Sequence, residues 1–211
     1  MNILAFDVAM GPIRIVLKTK EKIFAYTENE SNKHMAESIL QHIDDLLKQA
    51  NITIKEIDVI GVGVGPGSFT GIRIAIATAK GFLCANARIK LCAFTSFEAL
   101  AYTIEENQPY VAVIKAFSNL FYIYDSKTQS MLCDSLQALQ KQTQPTTLVT
   151  DEGTKDSLQN ISCTIVVSKG DILSVVEQKV RLKEFCGLNE ISPCYVRASQ
   201  AELQRAQKES V

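Results

Sequence analysis

The chain has 211 residues, of which 46% are hydrophobic and 21% charged, and its formal net charge is −1 at pH 7. This balance suits a globular protein with a buried core and excludes an overall basic field that would attract nucleic acid or an anionic membrane. Six scattered cysteines without a C-x-x-C pair favour free thiols in a reducing compartment over a zinc site or a disulfide scaffold. The N-terminus lacks the basic segment of a signal peptide, and no apolar run approaches the roughly 20 residues that span a bilayer. We therefore expect a cytoplasmic protein that does not contact a membrane.

The first half of the chain predicts one mixed α/β lobe over residues 1–106. Three short apolar or β-branched segments separated by turns indicate an antiparallel meander. Apolar residues at helical spacing predict the helix that follows, and its predicted core stripe consists of Ala36, Ile39, Leu40, Ile43, Leu47 and Ala50. A strand, a second helix, a strand and a third helix come next. The predicted strands cover residues 3–8, 13–18, 23–27, 57–64 and 90–94, and the predicted helices cover 33–50, 70–85 and 96–106.

The second half predicts a smaller lobe of the same kind over residues 107–211. Its order of elements repeats the βββαβα pattern of the first half, although the two sequences are not alike. The predicted strands cover residues 110–116, 120–125, 130–133, 146–150 and 163–168, and the predicted helices cover 135–142 and 172–185. Two α/β lobes with mixed sheets flanked by helices are the architecture that this pattern indicates, with the last helix packing back on the first lobe.

A glycine-rich turn joins the strand at 57–64 to the second helix. Backbone N–H groups at a helix N-terminus can hold an anion, so Gly65, Gly67 and Ser68 are candidates for anion binding. The spacing excludes a P-loop and a dinucleotide fingerprint, because no lysine follows Gly71 and Thr70 stands where the third glycine is needed. Anion binding and a purely structural turn both stay open.

The second helix is apolar on nearly its whole circumference, which is unusual for a helix at the surface. Its second face is small and uncharged, and Gly81 in the middle of the helix costs roughly 1 kcal/mol relative to alanine. Close approach of another helix would offset that cost, while burial of both faces within the chain is the alternative. The predicted docking surface comprises Met35, Ile39, His42 and Leu46 on the first helix and Arg73, Ile74, Ala77, Thr78, Gly81 and Ala85 on the second.

Three motifs resemble those of the bacterial TsaB family, formerly called YeaZ. They are Ile-Leu-Ala-Phe-Asp at residues 3–7, Gly-Pro-Gly-Ser-Phe-Thr-Gly-Ile-Arg-Ile at 65–74 and Pro-Cys-Tyr-Val-Arg at 193–197. The resemblance implies a duplicated actin/Hsp70-like fold and a role in forming N6-threonylcarbamoyladenosine in tRNAs that read codons beginning with adenine. It also implies a non-catalytic subunit that binds the catalytic paralogue TsaD through the two helices at 33–50 and 70–85. The resemblance further implies that the ATPase TsaE joins that heterodimer and that tRNA is bound only through the complex. A homodimer is expected when the partner is absent.

Two loops depart from the pattern of catalytic relatives in this fold. Such enzymes place Asp-x-Gly-[Thr/Ser] after the first strand to bind phosphate and metal, whereas this chain has Asp7 followed by Val-Ala-Met. Asp7 is therefore one more candidate for anion binding, although the glycine and the hydroxyl that would accompany it in those enzymes are missing. In the second lobe Lys115 stands where a carboxylate is expected. We therefore expect no catalytic residue, no cofactor and no metal in this chain, with ATP and metal held by the partner proteins.

The other candidate functions are metal binding, nucleotide hydrolysis or phosphoryl transfer, and peptide hydrolysis. The metal motif of the partner family, His-x-x-x-His, is broken because Ser38 follows His34 at the fourth position and His42 lies two turns along. A degenerate actin-like nucleotide-binding hydrolase or kinase is the main alternative. A peptidase is a weaker one, because no nucleophile–histidine–carboxylate set is visible.

Overall fold

The computed structural model describes residues 1–28, 35–142 and 147–196, in two five-stranded mixed sheets with flanking helices. The strands of the first sheet are β1 (Ile3–Asp7), β2 (Ile13–Lys18), β3 (Ile23–Glu28), β4 (Val59–Gly63) and β5 (Lys90–Phe94), in the order β3-β2-β1-β4-β5. Its helices are α1 (Met35–Gln49), α2 (Phe69–Ala85) and α3 (Ser96–Ala101). The hairpin strands β1, β2 and β3 pair antiparallel, and β1, β4 and β5 pair parallel. The predicted meander is thus confirmed.

The second sheet repeats this arrangement. Its strands are β6 (Tyr110–Lys115), β7 (Leu120–Asp125), β8 (Ser130–Ser135), β9 (Thr147–Thr150) and β10 (Ile165–Val167), in the order β10-β9-β6-β7-β8. The helices of this half of the chain are α4 (Leu136–Gln142), the single turn α5 (Glu152–Lys155) and α6 (Ile172–Leu182). Strands β6 and β1 hold the same central place, and the antiparallel and parallel neighbours match in both sheets. The duplicated two-lobe fold predicted from the order of elements is confirmed.

Helices cover both faces of the first sheet. Helices α1 and α2 lie on one face, where Ile39, Ile43 and Ile72 join a core with Leu4 and Phe6. Helix α6, from the second half of the chain, lies on the other face and buries Val175 and Val176 against the sheet. The backbone of Gly61 lies so close to α6 that an added Cβ would stand 2.1 Å from Val176. Helix α6 therefore ties the second half of the chain to the first sheet.

Several element ends differ from the sequence prediction. Helix α6 stops at Leu182 because Lys183 adopts a left-handed conformation, φ 59°, and caps the helix with its N–H. The chain then turns so that Cys186 can pair with Leu91 at the edge of the first sheet. Helix α3 ends at Ala101, five residues before the predicted end, and the short α5 was not predicted at all. The six cysteines are free, as expected.

Candidate docking surface and interlobe cleft

Helix α2 presents one face to the sheet and the opposite face outward. Its N-terminus is capped by Ser68, whose hydroxyl accepts a hydrogen bond from the N–H of Gly71 at 3.2 Å. Ile72, Ala75, Ile76 and Ala79 are buried. On the other side lie the exposed residues Arg73, Ala77, Gly81, Cys84 and Ala85 and the half-buried Ile74 and Thr78. Nothing stands within 4 Å of the position that a Cβ of Gly81 would take. This outward face, which is small and uncharged apart from Arg73 near its start, is therefore open within the described chain.

Helix α1 is rotated relative to the prediction. Ile39 is 0% and Leu46 4% exposed, so both belong to the core, and their assignment to a docking surface is wrong. Leu40, which helical spacing had placed in the core, is 50% exposed instead. Because five neighbouring positions of α1 are large and apolar, spacing alone does not fix which of them face the sheet. Leu40 is the residue of α1 that sequence reasoning missed.

The remaining predicted residues of α1 lie at its edge. His42 is half-buried and stacks on the ring of Tyr26 with a centroid distance of 3.7 Å. Its Nε2 stands 3.7 Å from a carboxylate oxygen of Glu28. His42 thus anchors α1 to strand β3, which limits its availability to a partner. Met35 begins the helix, but its side chain lies outside the described part of the chain, as does His34.

The glycine-rich turn packs tightly on the loop that follows β1. A Cβ on Gly67 would stand 2.1 Å from the carbonyl oxygen of Ala9, and a Cβ on Gly71 2.2 Å from that of Val8. The N–H of Ser68 donates to the same Ala9 carbonyl at 2.7 Å. These close contacts explain why glycine is needed at positions 67 and 71, and no bound ligand has to be invoked. The backbone N–H groups of Ser68 and Gly71 already donate hydrogen bonds within the chain. The structural interpretation of the turn is favoured over anion binding at Gly65, Gly67 and Ser68.

Asp7 is not available to a ligand. Its side chain is fully buried, and Oδ2 accepts a hydrogen bond from Nη2 of Arg14 at 2.5 Å while Oδ1 accepts the N–H of Ala9 at 3.0 Å. Nη1 of Arg14 donates to the carbonyl of Lys169, just before α6. The guanidinium therefore neutralises the carboxylate and links β1 and β2 to the segment that leads into α6. The prediction of Asp7 as an anion-binding candidate is corrected, because Asp7 forms a buried ion pair with Arg14.

A cleft of about 950 Å³ lies between the two lobes. The loop after β1, the glycine-rich turn and the start of α2 line one side, and the ends of β6 and β9 line the other. Lys115 ends β6 at the place where Asp7 ends β1, so the pseudo-equivalent positions carry opposite charges. Exposed aromatic rings at the cleft belong to Phe69, Phe117 and Tyr195. Among the described residues no group of three or more His, Cys, Asp or Glu is placed to hold a metal ion.

The C-terminal segment closes one edge of this cleft and touches α2. The N–H of Cys194 donates to the carbonyl of Val64 at 2.8 Å. The ring of Tyr195 stacks on Phe69 with a centroid distance of 5.1 Å, and its hydroxyl accepts a hydrogen bond from Nε of Arg73 at 2.9 Å. Arg197, the last residue of the third motif, lies outside the described part of the chain. In that described part no helix is both long and apolar enough to cross a membrane.

Known proteins resemble this chain in sequence and in fold. It is 38% identical over 80 residues to the tRNA threonylcarbamoyladenosine biosynthesis protein TsaB of Buchnera aphidicola subsp. Baizongia pistaciae, a match that covers 38% of this chain and 36% of the relative. It is 24% identical to the TsaB protein of Bacillus subtilis across 96% of both chains. The structure of YeaZ from Pseudomonas aeruginosa superposes with a TM-score of 0.71, at 22% identity, over 92% of this chain and 99% of that one.

Two lobes of the same strand order around a central cleft define a protein of the actin/Hsp70-like fold. The chain also matches the family model described as TsaD: tRNA N6-adenosine threonylcarbamoyltransferase, over residues 26–159, which is more than half of its length. The chain belongs to the family that this model describes. The named relatives and the solved structure that it resembles are TsaB and YeaZ proteins.

Proposed function

We propose that this chain is a non-catalytic, activating subunit in the formation of N6-threonylcarbamoyladenosine in tRNAs that read codons beginning with adenine. In this proposal it acts in the cytoplasm by binding TsaD, and TsaE joins the heterodimer. The TsaB-named relatives, of which the first is matched over only part of its length, support a role in this pathway. tRNA is met through the complex, since the net charge of −1 provides no broad basic surface.

The observation that carries the docking role is the open face of α2 around Gly81. A glycine in the middle of an exposed helix face lowers helix stability by about 1 kcal/mol relative to alanine, and nothing in the described chain approaches it. Small residues allow the backbone of a second helix to come close, as in tight helix–helix packing. Leu40 on the neighbouring helix α1 adds an exposed apolar side chain to the same side of the sheet. The surface proposed to meet TsaD therefore consists of Leu40, Arg73, Ile74, Ala77, Thr78, Gly81 and Ala85, with His42 at its edge.

Binding of TsaD is tested by co-purification with a tagged form of this chain. Ala77→Arg and Gly81→Arg each place a long charged side chain on the open face, and we expect either to abolish retention of TsaD. Gln137→Arg, at an exposed position of α4 in the other lobe, is the matched control and should retain TsaD like the wild type. Failure of the wild-type chain to retain TsaD, or equal retention by all variants, would refute the docking role.

The same face predicts self-association when TsaD is absent. An exposed apolar helix face is commonly covered in a symmetric dimer, in which the same patch serves both copies. We expect the isolated wild-type chain to sediment as a homodimer and Gly81→Arg as a monomer. A wild-type monomer at all concentrations would remove this part of the proposal and leave the TsaD test unaffected.

The alternative of a nucleotide hydrolase or kinase is opposed by the cleft. Asp7 is paired with Arg14, and Lys115 brings a second positive charge where a metal-binding carboxylate is expected. We therefore propose that ATP and metal ions are bound by the partner proteins and not by this chain. Calorimetry with Mg–ATP decides between the two, since tight binding that is lost in Asp7→Ala would favour the alternative.

A further inference from the structure

The segment that contains α2 carries positive charges and no negative ones, although the chain as a whole is nearly neutral. Between Asp58 and Glu98 the sequence contains no acidic residue, while it contains Arg73, Lys80, Arg88 and Lys90. Lys90 lies over the ring of Phe185, with Nζ 4.8 Å from its centroid, and Lys80 is half-buried. Arg73 is exposed in the first turns of α2, and Arg88 is exposed in the turn that follows the helix. Any protein that covers α2 must accommodate these charges, so a partner surface with carboxylates would be complementary.

Arg73 is held in position by contacts with two aromatic side chains. Its guanidinium carbon stands 3.8 Å from the centroid of the Phe69 ring, in a cation–π stack. Nε donates to the hydroxyl of Tyr195, and the rings of Tyr195 and Phe69 are themselves stacked at an interplanar angle of 21°. Among the described residues neither terminal nitrogen of Arg73 has a hydrogen-bond acceptor. The guanidinium edge best suited to a bidentate carboxylate is thus oriented in advance and unused.

The surroundings of this arginine favour a segment of protein chain as the occupant. Phe69 is 38%, Tyr195 41% and Phe117 72% exposed, and all three line the cleft that begins beside Arg73. Lys115 stands on the opposite wall of the same cleft. Tyrosine, phenylalanine and arginine grouped at a concave surface are the side chains enriched where interfaces gain most of their binding energy.

We propose that Phe69, Arg73 and Tyr195 form an anchor that receives a carboxylate-bearing, partly apolar segment of the partner that covers α2. This inference rests on the proposed function, because it takes the docking surface of α2 as given and extends that surface onto the C-terminal segment at residues 193–196. The carboxylate pairs with the two terminal nitrogens of Arg73, and the apolar part of the segment packs on the exposed rings. The partner is thereby held at both ends of the helix face, by close packing at Gly81 and by charge at Arg73.

The test measures the affinity of the full-length chain for TsaD of the same organism at several salt concentrations. We expect Arg73→Gln to weaken binding by about 10- to 100-fold and to lower the salt dependence of Kd, because a desolvated charge pair is lost. Tyr195→Phe, which keeps the stacked ring and removes the hydroxyl, should weaken binding by about 3- to 10-fold. Arg88→Gln is the control for a general charge effect and should stay within about twofold of the wild type, since Arg88 has no such aromatic support.

The outcomes separate this inference from the proposal that it extends. If the wild-type chain binds TsaD but Arg73→Gln binds equally well, the anchor is refuted while docking through α2 stands. If the wild-type chain does not bind TsaD at all, the proposed function itself fails. If inorganic triphosphate or Mg–ATP binds the isolated chain and this binding is lost in Arg73→Gln, the anion is a phosphate, and the assignment of a partner carboxylate is overturned.

Discussion

Arg14 holds the fully buried carboxylate of Asp7 in an ion pair, with Nη2 and Oδ2 2.5 Å apart. The two residues stand directly opposite each other in the register of β1 and β2, at the end of the hairpin nearest the cleft. The guanidinium supplies the positive charge that a metal ion would supply beside an aspartate in this position. Asp7 therefore has a structural role at a position where related enzymes bind a ligand. Arg14 also donates a hydrogen bond from Nη1 to the carbonyl of Lys169, just before α6.

Removal of Arg14 is predicted to be strongly destabilising. Arg14→Met leaves the carboxylate of Asp7 buried without a counter-charge, which typically costs about 3–5 kcal/mol of the free energy of unfolding. The double variant Asp7→Asn with Arg14→Met removes the unpaired charge and keeps a side-chain oxygen for the N–H of Ala9. We expect it to regain more than half of the loss in urea unfolding. If the double variant is no more stable than Arg14→Met, the unpaired charge of Asp7 is not the cause of the lost stability.

Two glycines of helix α2 are predicted to respond to alanine in opposite directions. Gly81→Ala adds a methyl group where nothing lies within 4 Å, so the higher helix propensity should raise the free energy of unfolding by about 0.5–1 kcal/mol. Gly71→Ala places a Cβ 2.2 Å from the carbonyl oxygen of Val8 and should lower it by about 1–3 kcal/mol. Thermal unfolding of both variants checks this. A loss of stability in Gly81→Ala would mean that the face of α2 is not open.

Ser68 is predicted to be the residue that caps helix α2. Its hydroxyl accepts the N–H of Gly71, whereas the exposed Thr70 has no capping bond in the described chain. Ser68→Ala should therefore lower the free energy of unfolding by about 1 kcal/mol. Thr70→Ala tests the other hydroxyl that the sequence offers at this helix end and should change it by less than about 0.5 kcal/mol. Equal losses in the two variants would contradict the assignment of the cap.

Much of the fold was predictable because its signals are local. Alternating and continuous apolar segments marked the strands, so that β2, β5 and β7 have their predicted bounds. The repeated order of elements predicted the duplication before any pairing of strands was known. For helix α1 the buried face could not be predicted from the sequence, because its apolar residues cover more than one face. Packing against the sheet buried Leu46 and exposed Leu40, the reverse of the expectation from spacing.

The candidate site was less predictable, because it is formed by contacts between residues that are distant in the sequence or lie in different loops. Arg73 and Tyr195 are 122 positions apart in the chain and meet only because the C-terminal segment returns to the first lobe. Asp7 and Arg14 are close in the sequence, because both flank one hairpin turn. Their ion pair was still not predictable, since an alternating strand pattern does not indicate that an arginine is buried. The glycine-rich turn is evident in the sequence, but its tight packing on Val8 and Ala9 depends on how two loops are placed in the fold.

The stability of the protein is predicted to fall between about pH 9 and pH 11 because of Cys92. This thiol is fully buried between the first sheet and α6, and burial, followed by the nearby Cys186, raises its pKa from 9.0 to about 11. In this range the unfolded chain has released the proton and the folded chain retains it. Since the folded state then binds more protons, the free energy of unfolding decreases as the pH rises, by up to about 2–3 kcal/mol.

The contribution of Cys92 is isolated by comparing variants and not by the wild-type profile alone. Tyr110, whose pKa burial raises to about 12, adds a decrease of the same sign between about pH 10 and pH 12. Urea unfolding under reducing conditions should therefore show a smaller decrease from pH 8.5 to pH 10.5 in Cys92→Ala than in the wild type. Cys84→Ala removes an exposed thiol and should keep the wild-type decrease. Parallel profiles for the wild type and Cys92→Ala would mean that the buried thiol does not govern alkaline stability, and Tyr110→Phe would be the next variant to compare.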